Sequence, residues 1–258
     1  GEVTGEELAK LYAMLANGGR LRQISWRERE GQENAPRLLS EEAAYITLDM
    51  LRQNPRPDTY SPAVPPVAWK TGTSWGYRDA WTAGVFGKHV LVVWVGNFDG
   101  ASNPALVGIR VAAPLFFRMV DGLHAQGLVP RDKPQLRPAG VSEVEVCAAS
   151  GELPNAHCPL RSKTLFIPGK SPIRASTLHR PILIDKRTGQ AVCTPSKDTQ
   201  EVVYEFWSGE MRRLFREAGM PRREPPSLPD CGGGQVVKQE AEAPRITSPL
   251  RGGTYAVR

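Results

Sequence analysis

Lys70-Thr71-Gly72-Thr73-Ser74 places a lysine, three hydroxyls and a glycine in five consecutive positions. The lysine supplies positive potential, and the hydroxyls of Thr71 and Thr73 can donate to a carboxylate. Gly72 removes a side chain, so an extended ligand backbone can lie against the strand. The Thr73 amide can form half of an oxyanion hole, provided a nucleophile's own amide forms the other half. In an ideal strand Lys70 and Gly72 share one face and Thr71 takes the opposite one, but the ammonium is long enough to reach over. Lys70 and Thr73 are therefore the catalytic candidates, and Thr71, Gly72, Thr73 and Ser74 the substrate-binding candidates. K-T-G alone arises by chance in about one chain in fifteen of this length, so the surrounding elements must decide its meaning.

Those elements begin with Thr4-Gly-Glu-Glu7, a capping box. Leu8, Leu11, Tyr12 and Leu15 follow at helical spacing, and Gly18-Gly19 ends the helix. Ser40 opens a second helix with Ala44, Leu48 and Leu51 on one face. Five prolines between 55 and 66 end it. Strands are predicted over 67–74, 80–87 and 89–96, the last two joined at Gly87-Lys88. Val90 to Val95 is continuously apolar, the pattern of a central strand buried on both faces. A helix over 106–126, carrying Leu115, Phe116, Met119, Val120 and Leu123, closes the set. The fold class is α/β: an antiparallel sheet with flanking helices. Trp75 and Tyr77 fit a groove wall or a core equally well. Asp79 and Arg78 read as turn residues, and His89 and His124 as structural or exposed.

Beyond residue 130 the text changes to short strand signals, "VSEVEVC", "KTLFIPG", "PILID" and "QEVVYEF", with one amphipathic helix near 208–218. The formal net charge of +6 comes without a dense basic stripe, which argues against a nucleic-acid partner. No apolar run approaches the ~20 residues of a membrane span.

The chain resembles the penicillin-binding transpeptidases. K-T-G is one of the marks of that family and of class A β-lactamases. "VTGEELAKLYAMLANGG" resembles the helix before this motif, "WKTGTSWGYRDAWTAGVFGKHVLVVWVGNFDG" the motif strand and the two strands after it, and "LVGIRVAAPLFFRMVDGL" the closing helix. "VCAASGELPNAHCPLRSKTLFIPGKSPI", "HRPILIDKRTGQAVC" and "PRITSPLRGGTY" resemble the 1C branch of the bifunctional class A members. The resemblance implies the C-terminal half of a transpeptidase domain over 1–130, similar to the β-lactamase fold. It further implies a β-rich extension with a proline-rich linker over 131–235, and the truncated start of an immunoglobulin-like β-sandwich over 243–258.

The resemblance also implies a serine nucleophile in S-x-x-K and an S-x-N motif. No serine here has lysine three residues on or asparagine two residues on. Both motifs, a glycosyltransferase domain and a membrane anchor are expected upstream of residue 1, and the chain alone is expected to be inactive. The implied partners are the D-Ala-D-Ala stem peptide of peptidoglycan, β-lactams and other cell-wall synthesis proteins, on the periplasmic side of the bacterial inner membrane. No cofactor or metal is implied. Two other readings stand: a D,D-carboxypeptidase or β-lactamase relative, and a non-catalytic cell-wall or partner-binding module.

Cys147, Cys158, Cys193 and Cys231 permit three disulfide connectivities. In a chain resembling a periplasmic enzyme, Cys147–Cys158 with Cys193–Cys231 is the favoured pairing. Free thiols are the second reading, and a zinc site from Cys147, His157, Cys158 and His179 the third. The zinc reading is weakened by the lack of a C-x-x-C knuckle.

Overall fold

The computed structural model describes residues 2–25, 27, 35–57, 67–129, 135–229 and 231. The Thr4 hydroxyl oxygen accepts the Glu7 amide at 3.1 Å, and the Glu7 carboxylate accepts the Thr4 amide at 2.8 Å. This capping box opens α1 (Gly5–Ala16) and satisfies donors that a helix start otherwise leaves without partners. The inward face of α1 differs from the expected one, because Leu11 is exposed and Met14 is buried. Ser40 accepts the Ala43 amide at 3.1 Å and opens α2 (Glu41–Arg52), which buries Ala44 and Leu48.

Strands β1 (Ala68–Thr73), β2 (Asp79–Phe86) and β3 (His89–Gly96) form an antiparallel meander in that order. The apolar run of β3 therefore lies at an edge of this sheet, not at its centre. Only Val93 of it is fully buried, while β2 buries Ala80, Thr82, Ala83, Val85 and Phe86. The run of valines reflects partial cover on both faces, which removes the polar alternation of a one-sided strand.

Helix α3 (Gly108–Ala125) packs on one sheet face, where Trp69, Phe86 and Val93 meet Phe116, Phe117 and Val120. The opposite face packs Ala68 and Val85 against Leu48, with Tyr12 and Leu15 beside them. The inward stripe of α3 runs through Ala112, Phe116 and Val120 with Ala113 and Phe117, so Leu115 and Met119 face outward instead of inward. Gly84 permits this approach, since a Cβ there would lie 2.7 Å from Phe116 Cζ.

The later strand signals correspond to β4 (Ser142–Cys147) with β5 (Arg161–Phe166), and β6 (His179–Asp185) with β7 (Thr199–Glu205). Helix α4 (Gly209–Glu217) follows, capped by Ser208. The chain divides into two units, Gly1–Glu145 with Lys163–Pro172, and Val146–Ser162 with Ile173–Arg258. The second is centred on Ile182, Ile184 and Tyr204. The expected β-sandwich start over 243–258 lies outside the described residues.

Both favoured disulfides are present, with Cα–Cα distances of 5.9 Å for Cys147–Cys158 and 5.5 Å for Cys193–Cys231. No described helix is long and apolar enough to cross a membrane.

Candidate active site

The Ser74 amide donates to the Asp79 carbonyl at 2.9 Å where the β1–β2 hairpin closes. The register continues as Gly72 opposite Trp81 and Lys70 opposite Ala83. Antiparallel pairs alternate between bonded and non-bonded, so the backbones of Lys70 and Gly72 turn toward β2. Those of Thr71 and Thr73 turn the other way, where no described strand pairs with β1. Two side chains reach carbonyls on that open edge. Lys70 Nζ donates to the Thr71 carbonyl at 2.9 Å, and the Asn54 amide donates to the Trp69 carbonyl at 2.7 Å.

Lys70, Thr71, Gly72 and Ser74 line a cleft of about 580 Å³ together with Leu8, Tyr12 and Trp81. Burial pushes the Tyr12 phenol above its ordinary range. Among the described residues none demands a glycine at 72, because a Cβ there would meet Trp81 Cβ at an ordinary 3.6 Å. Gly72 faces the cleft.

Thr71 and Thr73 lie toward the start of α3. Thr73 Oγ1 accepts the Gly108 amide at 2.9 Å, while the helix's own N-cap residue, Val107, offers no side-chain hydrogen bond. A hydroxyl that accepts from an amide keeps its own hydrogen to donate. Gly108 is sterically required: a Cβ would overlap the Gly72 carbonyl oxygen and lie 2.9 Å from that of Trp81. The helix start thus fixes both the height of α3 over β1 and the orientation of the Thr73 hydroxyl. Sequence reading missed Gly108; its only sequence signal was a glycine opening a helix without a capping side chain.

Ser74 is partly committed to the hairpin, with Oγ accepting the Asp79 amide at 2.8 Å and the Arg78 amide at 3.2 Å. Asp79 begins β2 and accepts the Trp94 indole N–H at 2.9 Å. Trp75 is 97% exposed and Tyr77 48% exposed, which excludes the core reading for both. Neither lines the cleft. His89 and His124 flank Phe86, with ring centroids 5.8 and 6.2 Å from it. Of the four residues in the zinc reading, Cys147, Cys158 and His179 come together and His157 does not.

Residues 137–181 match the family described as penicillin-binding protein 1A, C-terminal domain. The chain is 32% identical over 173 residues to penicillin-binding protein 1C of Escherichia coli K12, covering 65% of this chain and 22% of that protein. It is 32% identical over 156 residues to penicillin-binding protein 1A of Clostridium tetani, covering 55% of this chain and 19% of the relative. The chain thus spans about a fifth of the length of these curated relatives. The crystal structure of penicillin-binding protein 1A from Haemophilus influenzae superposes with a TM-score of 0.52 at 21% identity, covering 67% of this chain and 33% of that one. That likeness concerns the fold; in sequence, the chain is similar to penicillin-binding proteins 1C and 1A over 65% and 55% of its length.

Proposed function

We propose that this chain supplies the carboxylate- and oxyanion-binding side of a serine D,D-transpeptidase that cross-links peptidoglycan stem peptides. The open edge of β1 carries the reading, with the outward backbone of Thr71 and Thr73 flanking a glycine that packing among the described residues does not require. A stem peptide adds there as an extended strand, its main chain pairing with that edge.

In this reading a serine outside the 258 residues attacks the penultimate D-Ala carbonyl and forms an acyl-enzyme as the last D-Ala leaves. A neighbouring peptide's amine then takes the acyl group, so one difficult displacement becomes two easier ones. The Thr73 N–H faces the developing oxyanion. The hydroxyls of Thr71 and Thr73 hold the terminal carboxylate, and Lys70 supplies positive potential beside it. β-Lactams, as mimics of the D-Ala-D-Ala terminus, acylate the same serine. The parent protein also polymerises glycan strands, and is anchored on the periplasmic face of the inner membrane by a segment outside this chain.

Labelling with a fluorescent penicillin tests the reading. The full-length parent is expected to label covalently, and the 258-residue chain alone is not. Thr73→Ala in the parent is expected to slow acylation about ten- to hundredfold, the effect of losing a hydrogen bond to a charged group. Stoichiometric labelling of the isolated chain would show that the nucleophile lies within it.

A further inference from the structure

Cys147, Cys158 and His179 bring two sulfurs and an imidazole nitrogen within 4.8 Å of one another, and all three residues are buried. They belong to the second unit. Cys147 ends β4, Cys158 lies in the turn before β5, and His179 begins β6. Asn155 gathers these segments by donating from Nδ2 to the carbonyls of Ser176 and His179 at 3.0 and 2.9 Å.

The histidine is unusually placed for a structural one. It is 3% exposed, and its Nε2 has no hydrogen-bond partner among the described residues. Nδ1 lies 3.6 Å from Cys147 Sγ, and Nε2 lies 3.6 Å from a Glu205 carboxylate oxygen. Zinc bonds of about 2.3 Å to sulfur and about 2.0 Å to nitrogen, at a tetrahedral angle, put those ligand atoms about 3.6 Å apart. The Cys147–His179 pair already has that separation. A carboxylate behind the far nitrogen of a ligating imidazole is the usual means of fixing its tautomer and orientation.

We propose that Cys147, Cys158 and His179 form a zinc site, backed by Glu205, whenever the Cys147–Cys158 bond is reduced. Disulfide and metal are mutually exclusive occupants. A dithiol transfers two electrons to the disulfide and is itself oxidised to its own disulfide, leaving two thiols on the chain. Zinc then binds both sulfurs and His179 Nδ1, and the two thiol protons go to solvent. The oxidised staple joins the ends of one turn, whereas the metal adds β6 to the same junction. The fourth position is left to a water or another small ligand.

The test uses the full chain, reduced without oxygen and titrated with Co²⁺ as a spectroscopic stand-in for zinc. One equivalent is expected to give a thiolate-to-cobalt charge-transfer band, which the oxidised chain lacks. Alkylation with Zn²⁺ present is expected to spare Cys147 and Cys158 while modifying Cys193 and Cys231. His179→Ala and Glu205→Gln are each expected to weaken metal binding at least about tenfold. Absence of the band, equal alkylation of all four cysteines, or unchanged affinity in Glu205→Gln overturns the proposal. The Glu205→Gln arm stands even if His179→Ala fails to fold.

Discussion

Thr73 Oγ1 and the Gly108 amide lie 2.9 Å apart across a sequence separation of 35 residues. Through this bond one hydroxyl caps the helix on one face of the sheet and keeps a hydrogen to offer along the β1 edge. Thr73→Ala leaves the Gly108 N–H without that partner, and its expected cost is about 1 kcal/mol, as for other lost N-caps. Thr73→Ser keeps the oxygen and is expected to stay within about 0.5 kcal/mol. Urea unfolding of the two variants checks this; equal losses would show that the methyl group, not the bond, matters.

Gly72 and Gly108 face each other with opposite tolerances. Gly108→Ala must push α3 away from the carbonyls of Gly72 and Trp81, an overpacking expected to cost about 1–3 kcal/mol. Gly72→Ala meets only an ordinary contact, so its melting temperature is expected to match that of the unaltered chain. In the full-length parent the same Gly72→Ala is expected to slow β-lactam acylation. A normally acylating parent would remove the substrate-backbone explanation for the glycine.

Arg56 donates a fork to the Asp121 carboxylate at 2.9 and 2.8 Å and stacks 4.3 Å over Phe117. Its side chain is 13% exposed against 43% for that of Asp121, so water screens the pair only in part. Lysine can reproduce neither the fork nor the planar stack. Arg56→Lys is expected to destabilise by about 1–2 kcal/mol, within the ordinary range of single substitutions. Indistinguishable unfolding midpoints for Arg56→Lys and the unaltered chain would count against both contacts.

Glu143 is held below the usual carboxylate range by the hydrogen bond and charge of Lys163, and Lys163 is raised by the same bond. The folded chain therefore resists protonating Glu143 more than the unfolded chain does. This contribution is complete above the unfolded value of about 4.3 and is lost as pH falls through the lowered folded value. The Lys163 contribution is complete below about 10.4 and is lost as pH rises through the raised one. Both groups are exposed, so the effect is modest and shrinks with salt. Glu143→Gln is expected to flatten part of the acid limb of a stability–pH profile. An unchanged limb would show that the pair does not act in solution.

The capping box at Thr4, the three strands around Lys70 and the four later strands were legible because each rests on local chemistry or short-period pattern. What was not legible rests on partners distant in sequence. β3 reads as a central strand from its own residues; only the sheet order shows that β2 holds the centre. The expected α3 stripe held Phe116, Val120 and Leu123 correctly but also took in Leu115 and Met119, because all are apolar and only packing against the sheet at Gly84 tells them apart. Lys70, Thr71 and Gly72 were found as letters, but the orientation of Thr73 depends on Gly108. Likewise no local pattern marks Asn54, although it closes on Trp69, whose own indole returns a bond to the Asn54 carbonyl at 3.2 Å.

The Cys193–Cys231 bond spans 38 residues and encloses β7 and α4 in one covalent ring. A protease cutting once inside that ring would release nothing. The nicked chain would migrate as a single band until reductant was added, and the second unit would carry its wound unseen. Damage there becomes visible only when the thiol state of the surroundings changes.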